Sequence, residues 1–257
     1  MTAPLLAARN LSKRFASIQA CRDISFDLGE GEALAIVGES GSGKTTLLHL
    51  IAGLTPPDTG NVSYRTRDGA TRDIADMSES ERRALMRTDW GFVHQDAARG
   101  LRMNVSAGGN IGERLMALGE RHYGRIRESA ARWLERVEIP ANRLDDRPTT
   151  YSGGMRQRLQ IARNLVTAPR LVFMDEPTGG LDVSVQARLL DLIRGLIADM
   201  GLAVVLVTHD LSVARLLSNR ILVMKEGEVI ESGLTDRVLD DPRAPYTQLL
   251  VSSVLAA

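Results

Sequence analysis

Residues 38–45 read Gly38-Glu39-Ser40-Gly41-Ser42-Gly43-Lys44-Thr45. They match the pattern G-x-x-x-x-G-K-[ST], whose glycines let the backbone turn tightly and aim its N–H groups at a phosphate. The apolar run at residues 33–37 predicts a strand covered on both faces, and residues 46–53 are typical of a helix whose N-terminus points at the same anion. We predict that this phosphate loop binds a nucleotide, with Lys44 at the outer phosphates and the Thr45 hydroxyl on Mg²⁺. The loop alone does not distinguish a kinase from a GTPase or a helicase.

Acidic residues end a second predicted strand. Residues 171–174 are apolar and run directly into Asp175 and Glu176. Open parallel sheets bind ligands at the carboxyl ends of their strands. Asp175 suits indirect coordination of Mg²⁺, and Glu176 suits a base that polarises water for attack on a γ-phosphate. His209 follows the apolar residues 202–207 in the same way, which favours a place in the same site over an ordinary exposed histidine.

A third motif stands before a predicted helix. Residues 151–155 read Tyr151-Ser152-Gly153-Gly154-Met155, and apolar residues at helical spacing continue to Val166. Ser152 is a predicted N-cap. The motif is either a simple capped helix start or a second anion site made of N–H groups, a hydroxyl and a helix N-terminus.

The order of predicted elements indicates an α/β protein. Short strands fill residues 5–36, helices dominate residues 98–168, and strand, helix and strand follow in residues 171–207, as in a parallel sheet. A hairpin is predicted around residues 225–227, and the tail from residue 232 predicts a short helix, a proline-bearing loop and a final helix.

Composition sets limits on partners. The 257 residues include 32 Lys and Arg and 32 Asp and Glu, so the formal charge is zero, and we expect no nucleic-acid partner. The single cysteine, Cys21, fits a reducing, cytoplasmic setting. Residues 1–9 do not read as a signal peptide, and the longest apolar stretch falls far short of the ~20 residues that span a bilayer, so we expect no direct membrane insertion.

These motifs in this order resemble the ATP-binding cassette family over nearly the whole chain. The resemblance implies that residues 38–45 are the Walker A loop, that residues 171–176 are the Walker B strand, and that Ser152, Gly153 and Gly154 are the core of the signature motif. By the same resemblance, Gln95 contacts Mg²⁺ and the attacking water, Asp182 ends the D-loop, His209 contacts the γ-phosphate, and Phe15 stacks on adenine. For Phe15, a place in the core is the alternative.

The resemblance also implies an architecture and an assembly. The expected fold is a P-loop NTPase of the cassette type, with a parallel core sheet, an N-terminal antiparallel β subdomain and a helical subdomain at about residues 97–168, within a domain of residues 1–232 followed by a helical tail at residues 233–257. Two copies would pair head to tail, so that each ATP lies between one copy's Walker loop and the other's signature motif. Both Glu176 and His209 are present, so each site should hydrolyse MgATP.

The chain departs from the family pattern in two motifs. Tyr151 and Met155 replace the usual Leu and Gln of the signature motif, and Gly179-Gly180 replaces the usual Ser-Ala of the D-loop. Two glycines predict a more flexible D-loop. Neither change removes a phosphate ligand, so hydrolysis is still expected.

Other segments bear on the branch of the family. Residues 241–247 are similar to cassettes of oligopeptide and nickel importers, whereas residues 94–96, 105–116, 138–143 and 178–186 resemble the cassette of bacterial carbon–phosphorus lyase systems, which break down phosphonates. The second resemblance implies docking on carbon–phosphorus lyase core subunits, for which we predict residues 97–135, including Arg114 and Arg121. An importer ATPase coupled to a permease is the alternative. A repair or translation cassette is disfavoured, because such proteins usually carry tandem cassettes or added domains.

Overall fold

The structure is a computed structural model that describes residues 3–255. The helices and strands are, in chain order, β1 (Leu6–Phe15), β2 (Ile18–Leu28), β3 (Ala33–Val37), α1 (Lys44–Ile51), β4 (Thr59–Arg65), β5 (Thr71–Asp73), α2 (Glu79–Thr88), β6 (Trp90–Val93), α3 (Ala97–Gly100), α4 (Ala107–Ala117), α5 (Tyr123–Arg136), α6 (Gly153–Leu165), β7 (Leu171–Asp175), α7 (Val183–Met200), β8 (Ala203–Val207), α8 (Leu211–Leu217), β9 (Arg220–Lys225), β10 (Glu228–Leu234), α9 (Thr235–Asp240) and α10 (Pro245–Leu255).

The chain divides into two compact units. The first comprises the residues up to Arg82 together with those from Gly201 onward, and the second comprises Arg83–Met200. The second unit is wider than the helical region predicted at residues 97–168, because it also includes β6, β7 and α7.

The first unit contains two sets of paired strands. One is the predicted antiparallel sheet, in the order β2, β1, β4, β5. In the other, β3 lies between β8 and β9 and runs parallel to both, while β10 pairs antiparallel with β9. Every residue of β3 and β8 is buried, as the apolar runs predict for strands covered on both faces. Because β3 is central, the loop that follows it begins at the carboxyl end of a rigid strand.

The C-terminal helices pack within the first unit. Val238 and Leu239 of α9 join a buried cluster with side chains of β3, α8 and β9, and Tyr246, Leu250 and Val251 of α10 pack against that cluster. Residues 238–251 of the tail therefore contribute side chains to the core that includes β3.

The second unit places helices beside a pair of parallel strands. β6 pairs with β7 from Trp90↔Leu171 to Val93↔Met174. Trp90 is fully buried, and its ring meets Phe173 edge-on at 5.4 Å between centroids. Sequence reasoning missed β6, because four apolar residues are too few to show a period. Within residues 3–255, no helix combines the length and apolarity that crossing a bilayer requires.

Candidate functional site

The phosphate loop, residues 38–45, adopts a backbone that only glycine tolerates at two positions. Gly38 has φ +147° and Gly43 has φ +102°. A Cβ atom would lie 2.2 Å from the carbonyl oxygen of Met224 at Gly38, and 2.1 Å from that of Ala20 at Gly43. Both obstacles are backbone atoms, which cannot move aside as a flexible side chain would. The two glycines therefore let the loop pack against β2 and β9 and still turn.

The interior of the phosphate loop suits an anion. The Ser42 hydroxyl is buried and has no hydrogen-bond partner among the residues that the structure describes. Gly41 is exposed and has φ +83°, and a Cβ built on it would meet no atom within 4 Å. The Lys44 Nζ donates to the carbonyls of Gly38 at 2.9 Å and Glu39 at 2.7 Å. A buried hydroxyl that lacks a partner, together with a nearby cation that is 6% exposed, fits a phosphate group.

The acidic pair ends β7 as predicted. Asp175 is the last residue of the strand, and Glu176 follows with φ 42°, a left-handed conformation that is uncommon outside glycine. Such strain concentrates at functional sites. The Gln95 amide Nε2 donates to the Glu176 carboxylate at 3.2 Å. The structure thus brings together two of the three predicted catalytic residues.

Buried amides of α6 hold the glutamine loop, residues 94–96. The His94 N–H donates to Gln160 Oε1 at 2.8 Å, and the His94 carbonyl accepts from Gln157 Nε2 at 3.2 Å and Gln160 Nε2 at 3.1 Å. Asn164 pairs in the same way with both backbone groups of Phe92. Because these side chains satisfy backbone groups as a neighbouring strand would, the helix that carries the signature motif also positions Gln95.

Sequence reasoning missed this amide row. It assigned the buried face of α6 to apolar residues alone, whereas Gln157, Gln160 and Asn164 are each at most 3% exposed. Their helical spacing of three and four residues was visible in the sequence. The sequence did not show the backbone groups that make their burial favourable, because the His94 carbonyl lies 66 positions from Gln160.

The signature segment, residues 151–155, begins α6 as predicted. Ser152 is the N-cap, and its hydroxyl accepts from the Met155 N–H at 3.3 Å. Ser152 and Gly153 are exposed, while Gly154 is buried, and a Cβ there would lie 2.5 Å from Val185 Cγ1 of α7. The small residue thus allows close packing of two helices, and the hydroxyl is left at the surface.

Arg143 joins the two residues that depart from the family's signature pattern. Its guanidinium lies 4.7 Å above the Tyr151 ring, Nη1 is 3.6 Å from Met155 Sδ, and Nε donates to Asp146 at 2.7 Å. The Tyr151 hydroxyl returns a hydrogen bond of 2.8 Å to the Arg143 carbonyl, and burial raises the pKa of that phenol. Tyr151 and Met155 are therefore parts of one clamp that fixes the start of α6.

The two glycines of the D-loop, Gly179 and Gly180, are each favoured for a different structural reason. A Cβ on Gly179 would lie 3.1 Å from Gln95 Nε2, so a side chain there would crowd the glutamine. Gly180 has φ +72°, which glycine adopts freely. Asp182 is exposed, and its carbonyl accepts from the Gln186 N–H at 2.8 Å as α7 begins. Gly179 thus allows the close approach of Gln95, and Gly180 allows the positive φ of the loop.

The remaining predicted residues lie in the first unit. His209 is exposed between β8 and α8, next to Asp210, whose carboxylate caps α8 by accepting from the N–H groups of Ser212 and Val213. Phe15 ends β1 and is 49% exposed, with Lys13 Nζ 5.5 Å from its ring centroid. An exposed ring is not the core phenylalanine that was the alternative, and it can stack on a planar ligand.

Comparison with known proteins decides the family. The profile of the ABC transporter family matches residues 21–179, which is more than half of the chain. The chain belongs to the ATP-binding cassette family. Members of this family bind ATP, and the predicted ATPase class is confirmed.

The relatives agree with this assignment. The putative phosphonates utilization ATP-binding protein PhnK of Escherichia coli K12 is 67% identical over 255 residues, which are 99% of each chain. The dipeptide transport ATP-binding protein DppD of Bacillus subtilis is 35% identical over 97% of this chain and 76% of its own.

Solved cassette structures confirm the predicted α/β P-loop fold. A dimeric, post-hydrolysis state of the ATP-binding cassette MJ0796 bound to ADP and Pi covers 90% of this chain and 98% of its own, with a TM-score of 0.78 and 30% identity. CbiO1 of Clostridium perfringens, part of an ABC transporter complex, covers 93% and 92%, with a TM-score of 0.77 and 26% identity.

Proposed function

We propose that this cassette hydrolyses MgATP as a head-to-tail homodimer in the cytoplasm, docked on the core of a carbon–phosphorus lyase, and so supports the breakdown of phosphonates. The observation that carries the choice of system is the 67% identity to a protein named for phosphonate utilization, against 35% to a dipeptide transport cassette. The segments outside the ATPase motifs point the same way.

The chemistry assigned to this chain's residues is water activation and charge stabilisation. Glu176 polarises the attacking water and accepts its proton, and Gln95, whose amide donates to that carboxylate at 3.2 Å, orients the same water. Lys44, the N–H groups of residues 38–45 and the start of α1 stabilise the charge on the phosphates. His209 contacts the γ-phosphate, and Phe15 stacks on the adenine.

Mg²⁺ fits the donors that the family pattern assigns to it. Thr45 offers a hydroxyl oxygen, Gln95 an amide oxygen and Asp175 a carboxylate, which are the hard oxygen ligands that Mg²⁺ prefers. The bound ion would neutralise part of the phosphate charge. Thr45 lies in the first turn of α1 and Asp175 ends β7, so both donors stand on regular elements.

The homodimer completes the site. Ser152 and Gly153 are exposed at the start of α6, where N–H groups and a hydroxyl suit a γ-phosphate held by the other copy. Asp182, exposed in the D-loop, would lie at the same dimer interface. The solved MJ0796 cassettes, which are dimeric, support this arrangement.

The docking surface within residues 97–135 needs one correction. Arg114 was predicted there, but its guanidinium donates to the Met86 carbonyl at 2.5 Å and to Asn164 Oδ1 at 2.6 Å. Burial lowers its pKa to about 10. Charge reversal at Arg114 would therefore break the second unit rather than test docking.

A better surface lies where α4 ends and α5 begins. Met116 is 44% exposed, Leu118 48% and Tyr123 72%, and the Arg121 side chain is exposed among them. Exposed large apolar side chains close together in the chain are typical of protein-binding surfaces, and aromatic and arginine side chains are enriched there. We assign the contact with the lyase core to this α4–α5 surface.

Affinity purification at native expression tests the proposal. We expect lyase core subunits to co-purify, and Tyr123→Ser to reduce their recovery, whereas Leu234→Ser, at a side chain that is 62% exposed and outside the surface, should not. Co-purification of a membrane permease in place of the lyase core would overturn the lyase assignment and support an importer. Equal recovery with both variants would overturn the assignment of the surface alone.

A further inference from the structure

The C-terminal tail reaches the phosphate loop through one residue. The Glu39 N–H, at the second position of the loop, donates to the Tyr246 hydroxyl of α10 at 3.2 Å. The ABC family match covers residues 21–179, so it includes Glu39 but not Tyr246 or the rest of the tail. Both residues belong to the first unit.

The peptide group that Tyr246 holds joins Gly38 to Glu39, and its carbonyl, that of Gly38, accepts from Lys44 Nζ at 2.9 Å. The Glu39 carbonyl accepts from Lys44 Nζ at 2.7 Å and from the Ser42 N–H at 3.2 Å. Glu39 is thus fixed from both sides, by the tail at its N–H and by the loop's own cation at its carbonyl. A shift of Glu39 would move the ammonium group that faces the phosphates.

The tail is itself anchored firmly enough to serve as a support. The Glu231 carboxylate of β10 accepts from the N–H of Arg243 at 2.9 Å and of Ala244 at 3.0 Å, just before α10 begins. Burial alone would raise the pKa of Glu231, but these N–H donors and the nearby charge of Arg243 lower it, so the pKa lies below its ordinary value. The carboxylate therefore holds the backbone of the segment that leads into α10.

The ring of Tyr246 has a contact of its own, in addition to those that anchor the segment before α10. Lys225, the last residue of β9, lies with Nζ 5.0 Å from the ring centroid. The hairpin of β9 and β10 meets the phosphate loop directly, because the Gly227 N–H donates to the Ser42 carbonyl at 3.0 Å. The hairpin and the tail together support the outer side of the loop.

We propose that Tyr246 is a positioning residue for the phosphate loop, which acts through Glu39 on Lys44, so that residues 242–253 help to set the affinity for nucleotide. This inference rests on nucleotide binding by residues 38–45. It predicts that a change in the tail alters ATP binding without touching a residue that contacts ATP.

Tyr246→Phe is the direct test, because it removes the hydroxyl and keeps the ring that packs on the core. One lost hydrogen bond to a loop amide should weaken the binding of MgATP and of ADP by about 2- to 10-fold. The KM for ATP should rise in parallel, and kcat at saturating ATP should stay within about twofold. Thr88→Val, which removes a hydroxyl that donates only to the Ala84 carbonyl within α2 at 2.9 Å, is the matched control and should leave both constants unchanged.

A general loss of folded protein would lower kcat at constant KM, so that pattern for Tyr246→Phe would overturn the proposal, as would unchanged affinity. If the unsubstituted protein itself bound no ATP, the proposed function would fail instead.

A double-mutant cycle supplies a second test. Glu231→Ala releases the segment before α10 and should also weaken nucleotide binding. Because Glu231 acts through Tyr246, the double variant should be little weaker than Tyr246→Phe alone. Additive effects would show that the two residues act independently and would overturn the route through Tyr246.

Discussion

Replacing Arg143 with Met should weaken the ATP-bound dimer without weakening ATP binding by one copy. The change removes the guanidinium that lies 4.7 Å over the Tyr151 ring and its 2.7 Å hydrogen bond to Asp146, while a straight apolar stem remains. The phosphate loop lies in the other unit and contains none of these residues. Only the signature segment, which we assign to the partner's ATP, should lose its support.

The magnitude follows from two interactions. A cation over a ring contributes about 0.5–2 kcal/mol, toward the upper end for a ring as buried as Tyr151. The ion pair with Asp146 is partly exposed and contributes at most about 1 kcal/mol. Because the methionine stem keeps part of the contact with the Tyr151 ring, the net loss is about 1–2 kcal/mol per signature segment, and a dimer has two such segments. The greatest effect on the dimer is therefore about 2–4 kcal/mol, which raises its dissociation constant about 30- to 1000-fold. We expect the dissociation constant to rise by at least about tenfold.

Analytical ultracentrifugation with MgATP measures this constant. Both partners should carry Glu176→Gln, which slows hydrolysis so that the dimer persists. Arg127→Met is the matched control, because it breaks another arginine–aspartate pair, with Asp145 at 2.6 Å, that does not touch the signature segment. Fluorescence titration of dilute, monomeric protein should give the same ATP affinity for all variants. An unchanged dimer constant for Arg143→Met, or an equal loss of affinity in the monomer, would refute the clamp.

Further outcomes are expected for three residues, Glu176, Gly43 and Cys21. Glu176→Gln alone should lower kcat for phosphate release by about 10²- to 10⁴-fold, and turnover at the rate of the unsubstituted protein would show that another group is the base. Gly43→Ala should abolish ATP binding in titration calorimetry, because its Cβ would lie 2.1 Å from the Ala20 carbonyl at φ +102°, whereas Gly69→Ala, strained at φ +84° but with open space around it, should still bind. The Cys21 thiol, whose pKa burial raises from 9.0 to about 12, should resist iodoacetamide at pH 8 until the protein unfolds. Since the folded state holds this proton more tightly, its contribution to stability is complete below pH 9.0 and is lost as the pH rises toward about 12, which pH-dependent urea unfolding would detect.

The linear motifs were predictable because their chemistry is local. The phosphate loop, the acidic end of β7 and the Ser152 cap each depend on residues within a few positions of one another, so spacing alone predicts them. The apolar runs of β3, β7 and β8 were equally clear, because a strand covered on both faces needs no polar residue. Strands β4, β5 and β6 were not predicted, since short or half-exposed strands show no reliable period of apolar residues.

Side-chain exposure was harder to predict. Arg114 was taken for a surface residue, yet it donates to Asn164, fifty positions along the chain. Phe15 had two open interpretations, and its 49% exposure decides against the core. A charged or aromatic side chain is amphipathic, and the sequence does not say which of its ends meets water.

The sequence by itself determined that this chain binds nucleotide phosphates and carries a carboxylate suited to activating water, because the backbone turns and strand ends that do so are written in contiguous residues. Only the tertiary structure decided what holds those groups in place: the amide row of α6 behind Gln95, the Arg143 clamp on the signature segment, and Tyr246 against Glu39. Each of these supports joins residues that are distant in sequence, and each matters because a buried polar group is stable only where the fold brings it a partner.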